Sequence, residues 1–386
     1  MTRHEVVITG IGLVSCLGEG PEAHWTALSA GAAPVVDETT FAPWTVHPLP
    51  RLNLDAQIPK KGDQRQMEPW QRLGTYAAGL AIDDAGARDL VADMHLVVAA
   101  GGGERDVALD EQVGAELANA NQAGARLNEM LATGLRPTLF LAQLSNLVAG
   151  NISIVHGVTG SSRTFMGEES AAADALRIAH ARLSEGRGET ALVGGAFTAQ
   201  RWDMILLYKG HEGQHRGPHA PLSQRGGMIL GGMGGFLLLE TAAHARARGA
   251  RVLARLDAVA SDAVRRSTRG ESAAAARALL PRVAPDGVQA IISGASGEPA
   301  AWAEEEAFLR DLDAPVRRPA NLIGHGVEGA FPAHVALAAL ALSKGGFYAP
   351  MDPADAGSAA AAPDRILVTG FGQWRGEALA QLSRAE

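Results

Sequence analysis

Gly167-Glu168-Glu169-Ser170-Ala171-Ala172-Ala173-Asp174-Ala175-Leu176 opens a small-residue segment that runs to Leu183 and is followed by the apolar run Ala191-Leu192-Val193 and by Gly194-Gly195. The same order returns later. Gly324 opens a second small-residue segment through Leu342, followed by Ile366-Leu367-Val368-Thr369 and Gly370-Phe371-Gly372. Each pair reads as a helix and then a buried strand closed by glycine. Repetition of one segment order predicts two related βαβ halves. The join is expected in the charged stretch 241–248, dividing the chain into residues 1–243 and 244–386. Helices this rich in alanine can be buried on all sides, which suits a layer between two sheets.

Working outward, Val6-Val7-Ile8-Thr9 reads as a β-branched strand closed by Gly10, and further strands are expected at 96–100, 235–240, 252–260 and 290–293. Helical patterns cover 22–28, 70–85, 107–133 and 139–149, with a short link at 153–156. Residues 40–66 are polar, proline-containing and aperiodic, and read as a long surface excursion. Strands alternating with helices predict an α/β protein with parallel sheets covered on both faces.

Composition narrows the functional classes. With 47% hydrophobic and 20% charged residues, the 386-residue chain is built to bury a large core. A net charge of -8 gives no footprint for nucleic acid. The same charge repels an acidic partner unless a local basic patch exists, for which Arg246, Arg248 and Arg251, or Arg265, Arg266 and Arg269, are candidates. Cys16 is the single cysteine, so no internal disulfide is possible and a reducing, cytoplasmic setting is expected. Apolar runs are broken before about 18 residues, so no membrane span is expected.

Three motifs carry chemistry. Gly10-Ile11-Gly12 follows a strand, but Ser15 stands where a dinucleotide fingerprint has its third glycine, and a tight turn explains the glycines. His211-Glu212-Gly213-Gln214-His215 matches the zincin string, yet that chemistry needs both histidines on one helix face. Gly210, Gly213, Gly217 and Pro218 oppose a helix, so a polar loop is the better reading and no metal is expected. Glu168 and Glu169 at a helix start read by themselves as capping and macrodipole acids.

Residues 7–18 resemble the opening strand and loop of the β-ketoacyl synthases of the thiolase superfamily, with Cys16 where proline is usual. Gly231 to Glu240 resembles their G-E-G-A-G-x-L-x-L-E strand, His244-Ala245-Arg246-Ala247-Arg248-Gly249-Ala250 their H-A-x-A-R-G-A crossover, and Gly370-Phe371-Gly372 their C-terminal gate loop. The resemblance spans the chain and implies a thiolase-like fold with αβαβα layers. It also implies an active site of one cysteine and two histidines. Here Glu169 falls at the cysteine position, Gly294 at the first histidine and His325 at the second, with Glu305 as a retained acid and Ala320 where lysine is usual. A carboxylate is a poor nucleophile toward a thioester. Loss of one histidine removes a donor to charge developing in decarboxylation.

Residues 167–176 resemble the A-E-Q-A-G-G-L-D-A-L segment of chain-length factors, with Glu169 for its glutamine. Residues 329–336 resemble their G-A-A-P-L-D-V-A. This resemblance implies a non-catalytic subunit without cofactors. It would pair with an active ketosynthase as a heterodimer and serve an acyl carrier protein in polyketide or fatty-acid-like chain extension. Residues 139–154 resemble the interface helix and following strand, making Phe140, Leu144 and Asn151 candidate tunnel or interface residues, with core packing the alternative. In a dry pocket the Glu169 carboxyl is expected to find a donor or to have its pKa raised, opposed by the helix N-terminus. Two rivals remain: malonyl decarboxylation or another acyl transfer using Glu169 and His325, and zinc hydrolysis through His211 and His215.

Overall fold

The computed structural model describes residues 3–136, 139–209, 213–355 and 362–385. Its centre is one long sheet. From edge to edge the strands are Val316–Arg317, Ala290–Ile292, Arg365–Phe371, Arg375–Ser383, Ala254–Arg265, Val6–Ser15, Met233–Thr241, Thr190–Phe197, His95–Ala99 and Ser162–Phe165. Numbered along the chain within each half, the five strands lie in the order 3-2-4-5-1 from either outer edge to the middle. The two first strands, Val6–Ser15 and Ala254–Arg265, meet in the middle and pair only at Val7–Arg255 and Ile8–Ala254.

Helices cover these strands in layers. Glu168–Ser184 and Ala330–Lys344 pack on each other and on both halves of the sheet. Their small side chains permit that approach: Ala171, Ala172, Ala173 and Ala175 on one, and Ala333, Ala336, Ala338 and Ala339 on the other, are all buried. Pro69–Asp84 and Leu147–His156 cover the outer face of the first half, and Glu271–Val283 with Pro299–Leu309 that of the second. The result is the αβαβα stack of thiolase-like proteins.

Several local expectations change. The sheet is mixed rather than parallel: in each half the three outer strands pair in parallel, and one strand, Met233–Thr241 or Arg375–Ser383, runs opposite and pairs antiparallel with both its neighbours. Residues 40–66 are no surface excursion. Phe41, Trp44, Val46 and Ile58 are buried and Val46–His47 pairs with Leu230–Gly231, an irregular path that leaves no periodicity to read. The expected helix at 107–133 is two, Val107–Leu117 and Ala123–Gly134. The expected helix at 139–149 is also two, Leu139–Ala142 and Leu147–His156. Gly150 to Ser153, expected in a strand, are helical, and the strand comes later at Ser162–Phe165 after the left-handed Gly157 cap. The second buried helix starts at Ala330 rather than Gly324, leaving His325 in a loop.

Candidate functional site

The strand Ser162–Phe165 ends beside the N-terminus of the Glu168–Ser184 helix, and the turn between them is sharp. Gly167 has φ 140 and Glu168 φ 54, a left-handed value uncommon outside glycine. That turn sends Glu168 outward to Arg375 at 3.5 Å and Glu169 inward. His325 arrives from the other half. Its N–H donates to Ile229 O at 2.8 Å and its carbonyl accepts from Gly231 N at 2.9 Å. His325 Nε2 donates to Glu169 Oε1 at 2.9 Å, with both side chains almost wholly buried.

Burial pushes the Glu169 carboxyl up, but the hydrogen bond and charge of His325 and the backbone N–H groups of Glu169 and Gln373 outweigh it, and its pKa falls below the ordinary value. Of the two outcomes expected for Glu169, a donor or a raised pKa, the structure shows the donor. Two of the donors that outweigh burial, His325 and the Gln373 N–H, come from segments remote in sequence. The pair therefore stabilises the fold above the ordinary glutamate pKa, and that contribution is lost as pH falls through the lower folded value.

Gly294 stands at the end of Ala290–Ile292 with no room for a side chain. A Cβ there would lie 2.3 Å from Thr369 O and 2.9 Å from Gly370 Cα, both backbone. Gly294 N donates to Thr369 Oγ1 at 3.0 Å. Thr369 Oγ1 donates to Glu305 Oε1 in turn, and so does Ser293 Oγ, at 3.0 Å. Between Glu169, Gly294 and His325 lies a small cavity also lined by Phe331, His334 and Thr369, with about 20 Å³ open to the centres of water-sized spheres. That is space for a water molecule, not an acyl chain.

The gate-loop residues Gly370, Phe371 and Gly372 all line this cavity. Arg266 holds the loop closed by donating to Gly372 O and Gln373 O, and Arg266 Nε donates to Ser272 Oγ at 2.7 Å. Trp374 stacks on Tyr208 with ring centres 5.3 Å apart.

Two further groups were not singled out in the sequence. His334 is buried in the cavity wall with neither ring nitrogen partnered, and burial with the neighbouring His325 drives its pKa down to about 3. Glu328 is buried beside Gly101, where its Oε1 would lie 2.4 Å from a Cβ. Its pKa is pushed up to about 7, first by burial and then by the charges of Glu169 and Glu168. A lone acid within a run of small residues was the available signal. Glu305 is likewise raised to about 7 by burial. Both carboxyls keep protons that the unfolded chain loses near its ordinary pKa of 4.5, so stability falls as pH rises from there to about 7. Buried histidines such as His334 act in the opposite direction over this range, so the signature is a difference: the unfolding midpoint of the native chain relative to Glu328→Gln should drop between about pH 5 and pH 7, and a relative midpoint that rises would contradict the assignment.

Phe140, Leu144 and Asn151 do not line the cavity. Phe140 is 71% exposed, while Leu144 and Asn151 are half-buried. Leu141, Ile154 and Met166 are likewise large apolar side chains exposed on the surface. His211 lies outside the described residues. His215 Nε2 donates to Pro218 O at 2.8 Å, and among the described residues no group of three or more His, Cys, Asp or Glu is arranged to hold a metal. No described helix is long and apolar enough to cross a membrane.

The fold and this site define a ketosynthase-like protein. The sequence profile of the β-ketoacyl synthase N-terminal domain matches residues 3–245, and the chain belongs to the β-ketoacyl synthase family. It is 28% identical over 370 residues, 87% of this chain and 85% of the relative, to the tetracenomycin polyketide synthase ketoacyl synthase beta subunit of Streptomyces glaucescens. It is 26% identical over 271 residues to 3-oxoacyl-[acyl-carrier-protein] synthase 2 of Vibrio harveyi, covering 66% of this chain and 62% of that enzyme. Among solved structures, the ishigamide ketosynthase/chain length factor superposes with a TM-score of 0.83 at 20% identity over the whole of both chains.

Proposed function

We propose that this chain is the non-catalytic, chain-length-factor-like member of a ketosynthase pair in polyketide or fatty-acid-like chain extension. The observation that carries the reading is that the Glu169 carboxylate occupies its own site. It takes the His325 donor and the backbone N–H groups of Glu169 and Gln373, the groups that would have to stabilise a developing oxyanion. Cys16, the only cysteine, is buried on another loop and its thiol is pushed up to about 12 by burial, so it does not substitute as nucleophile. The similarity to a ketoacyl synthase beta subunit over nearly the whole chain supports the same role.

In this reading the partner's cysteine carries the growing chain. The apolar surface at Phe140, Leu141 and Ile154 meets the partner and bounds the tunnel. An acyl carrier protein serves the pair, and an aryl polyene or an aromatic polyketide is the product class, the retained His325 favouring the polyene. The halves 1–243 and 244–386 fold as one body around the two buried helices. Coexpression with an intact ketosynthase of the same assembly should give a stable one-to-one complex that Ile154→Glu disrupts. A chain that stays alone and elongates by itself would overturn the reading.

The contact between Glu169 and His325 favours a second reading, decarboxylation of a malonyl group to supply a primer. Gly294 opposes it, because the second donor is missing and its place is filled by backbone. Carbon dioxide release from malonyl carrier protein by the isolated chain separates the two.

A further inference from the structure

The strands Val6–Ser15 and Ala254–Arg265 pair at two positions and then diverge, so the sheet opens at the seam between its halves. Three clefts of about 490, 260 and 250 Å³ surround that seam, and Arg255 lines all of them. Arg3, Arg246 and Arg365 stand in their walls, and none of these three makes an ion pair with the described residues. Arg384 joins two of the clefts. Five arginines thus face three acids, Glu5, Asp257 and Asp364, on a chain whose net charge is -8. Exposed cations unmatched on an acidic protein create a local field for an anionic partner. The seam lies away from the Glu169 cavity: Arg365 begins the strand whose other end, Gly370 and Phe371, lines that cavity.

We propose that this seam binds an acidic polypeptide segment of a partner protein. The clefts run together through shared side chains, so an extended occupant fits and a single small anion reaches only one of them. The interspersed carboxylates Glu5, Asp257 and Asp364 oppose the continuous charge of a nucleic-acid backbone, whereas a peptide spaces its carboxylates and offers N–H donors.

The test is fluorescence anisotropy of the full chain with a labelled oligoglutamate peptide, with a single-stranded oligonucleotide of equal charge as comparison. The peptide should bind at low salt and weaken as salt rises. The Arg3→Ala, Arg246→Ala, Arg365→Ala variant should bind it at least about tenfold more weakly with an unchanged unfolding midpoint, while Arg269→Ala, an exposed arginine that lines none of the three clefts, binds like the native chain. Should the triple variant lose stability, Arg246→Glu alone, on an exposed helix, must still weaken binding. Absence of peptide binding, equal affinity in the seam variants, or tighter binding of the oligonucleotide would each overturn the proposal. None of these outcomes bears on whether the chain pairs with a ketosynthase.

Discussion

Gly294→His destabilises the protein by about 3 kcal/mol, the upper part of the usual range for overpacking, and does not restore elongation even when combined with Glu169→Cys. The position is where the resemblance to active ketosynthases places the first catalytic histidine, so the double variant rebuilds the expected triad on paper. The backbone prevents it. A Cβ at Gly294 would meet Thr369 O at 2.3 Å and Thr369 C at 3.0 Å, and these atoms belong to a central strand that cannot yield as a side-chain tip can. Moving that strand also strains the Thr369–Glu305–Ser293 network beneath it. Urea unfolding of Gly294→His and acyl transfer by the double variant are the measurements. Native-like stability, or recovered condensation, would show that the site is merely mutated rather than closed.

His325→Ala costs about 3 kcal/mol at neutral pH, because removing the side-chain donor leaves a buried carboxylate without its side-chain partner. Glu169 then keeps only its backbone donors, while the burial that opposes its ionisation is unchanged. The cost has a pH signature. Without His325 the carboxyl takes up a proton more readily, so the loss shrinks as the solution is acidified toward the ordinary glutamate pKa. Glu169→Gln, which retains a hydrogen-bond acceptor for His325 Nε2, should be much milder. Denaturation of the three proteins at neutral and mildly acid pH separates a charge effect from a lost contact. A loss in His325→Ala that does not vary with pH would mean that packing, not the hydrogen bond to the Glu169 carboxylate, holds this corner.

Much of the architecture was legible because hydrophobic runs and small-residue helices follow each other in a repeated order, and the same five-strand order does recur in each half. Strand direction was not legible. The antiparallel return of Met233–Thr241 and Arg375–Ser383 depends on which neighbour each strand meets, and alternation of segments does not encode that. The region after Leu139 was misread for a related reason. Its apolar residues serve a surface as well as a core, so helix and strand could not be told apart by hydrophobicity.

At the site, Glu169 and His325 were found through the turn and the motif that carry them, and they do touch. The closure at Gly294, the Arg266 hold on the gate loop and the unpartnered His334 were invisible, since each depends on atoms from distant segments. The choice left open for Glu169, between a donor and a raised pKa, was undecided on the same ground. Burial was foreseeable, but the Gln373 N–H that helps reverse it comes from the gate loop.

The central claim, that the chemistry resides in the partner, is tested most directly by product formation in the reconstituted pair with one site altered at a time. Glu169→Gln in this chain should leave product yield within about threefold of the native pair, since only a cavity wall is changed and no transition-state donor is lost. Replacing the partner's nucleophilic cysteine by alanine should abolish product. Loss of product in an intact Glu169→Gln complex, with the partner's cysteine in place, would contradict the account and assign the chemistry to Glu169.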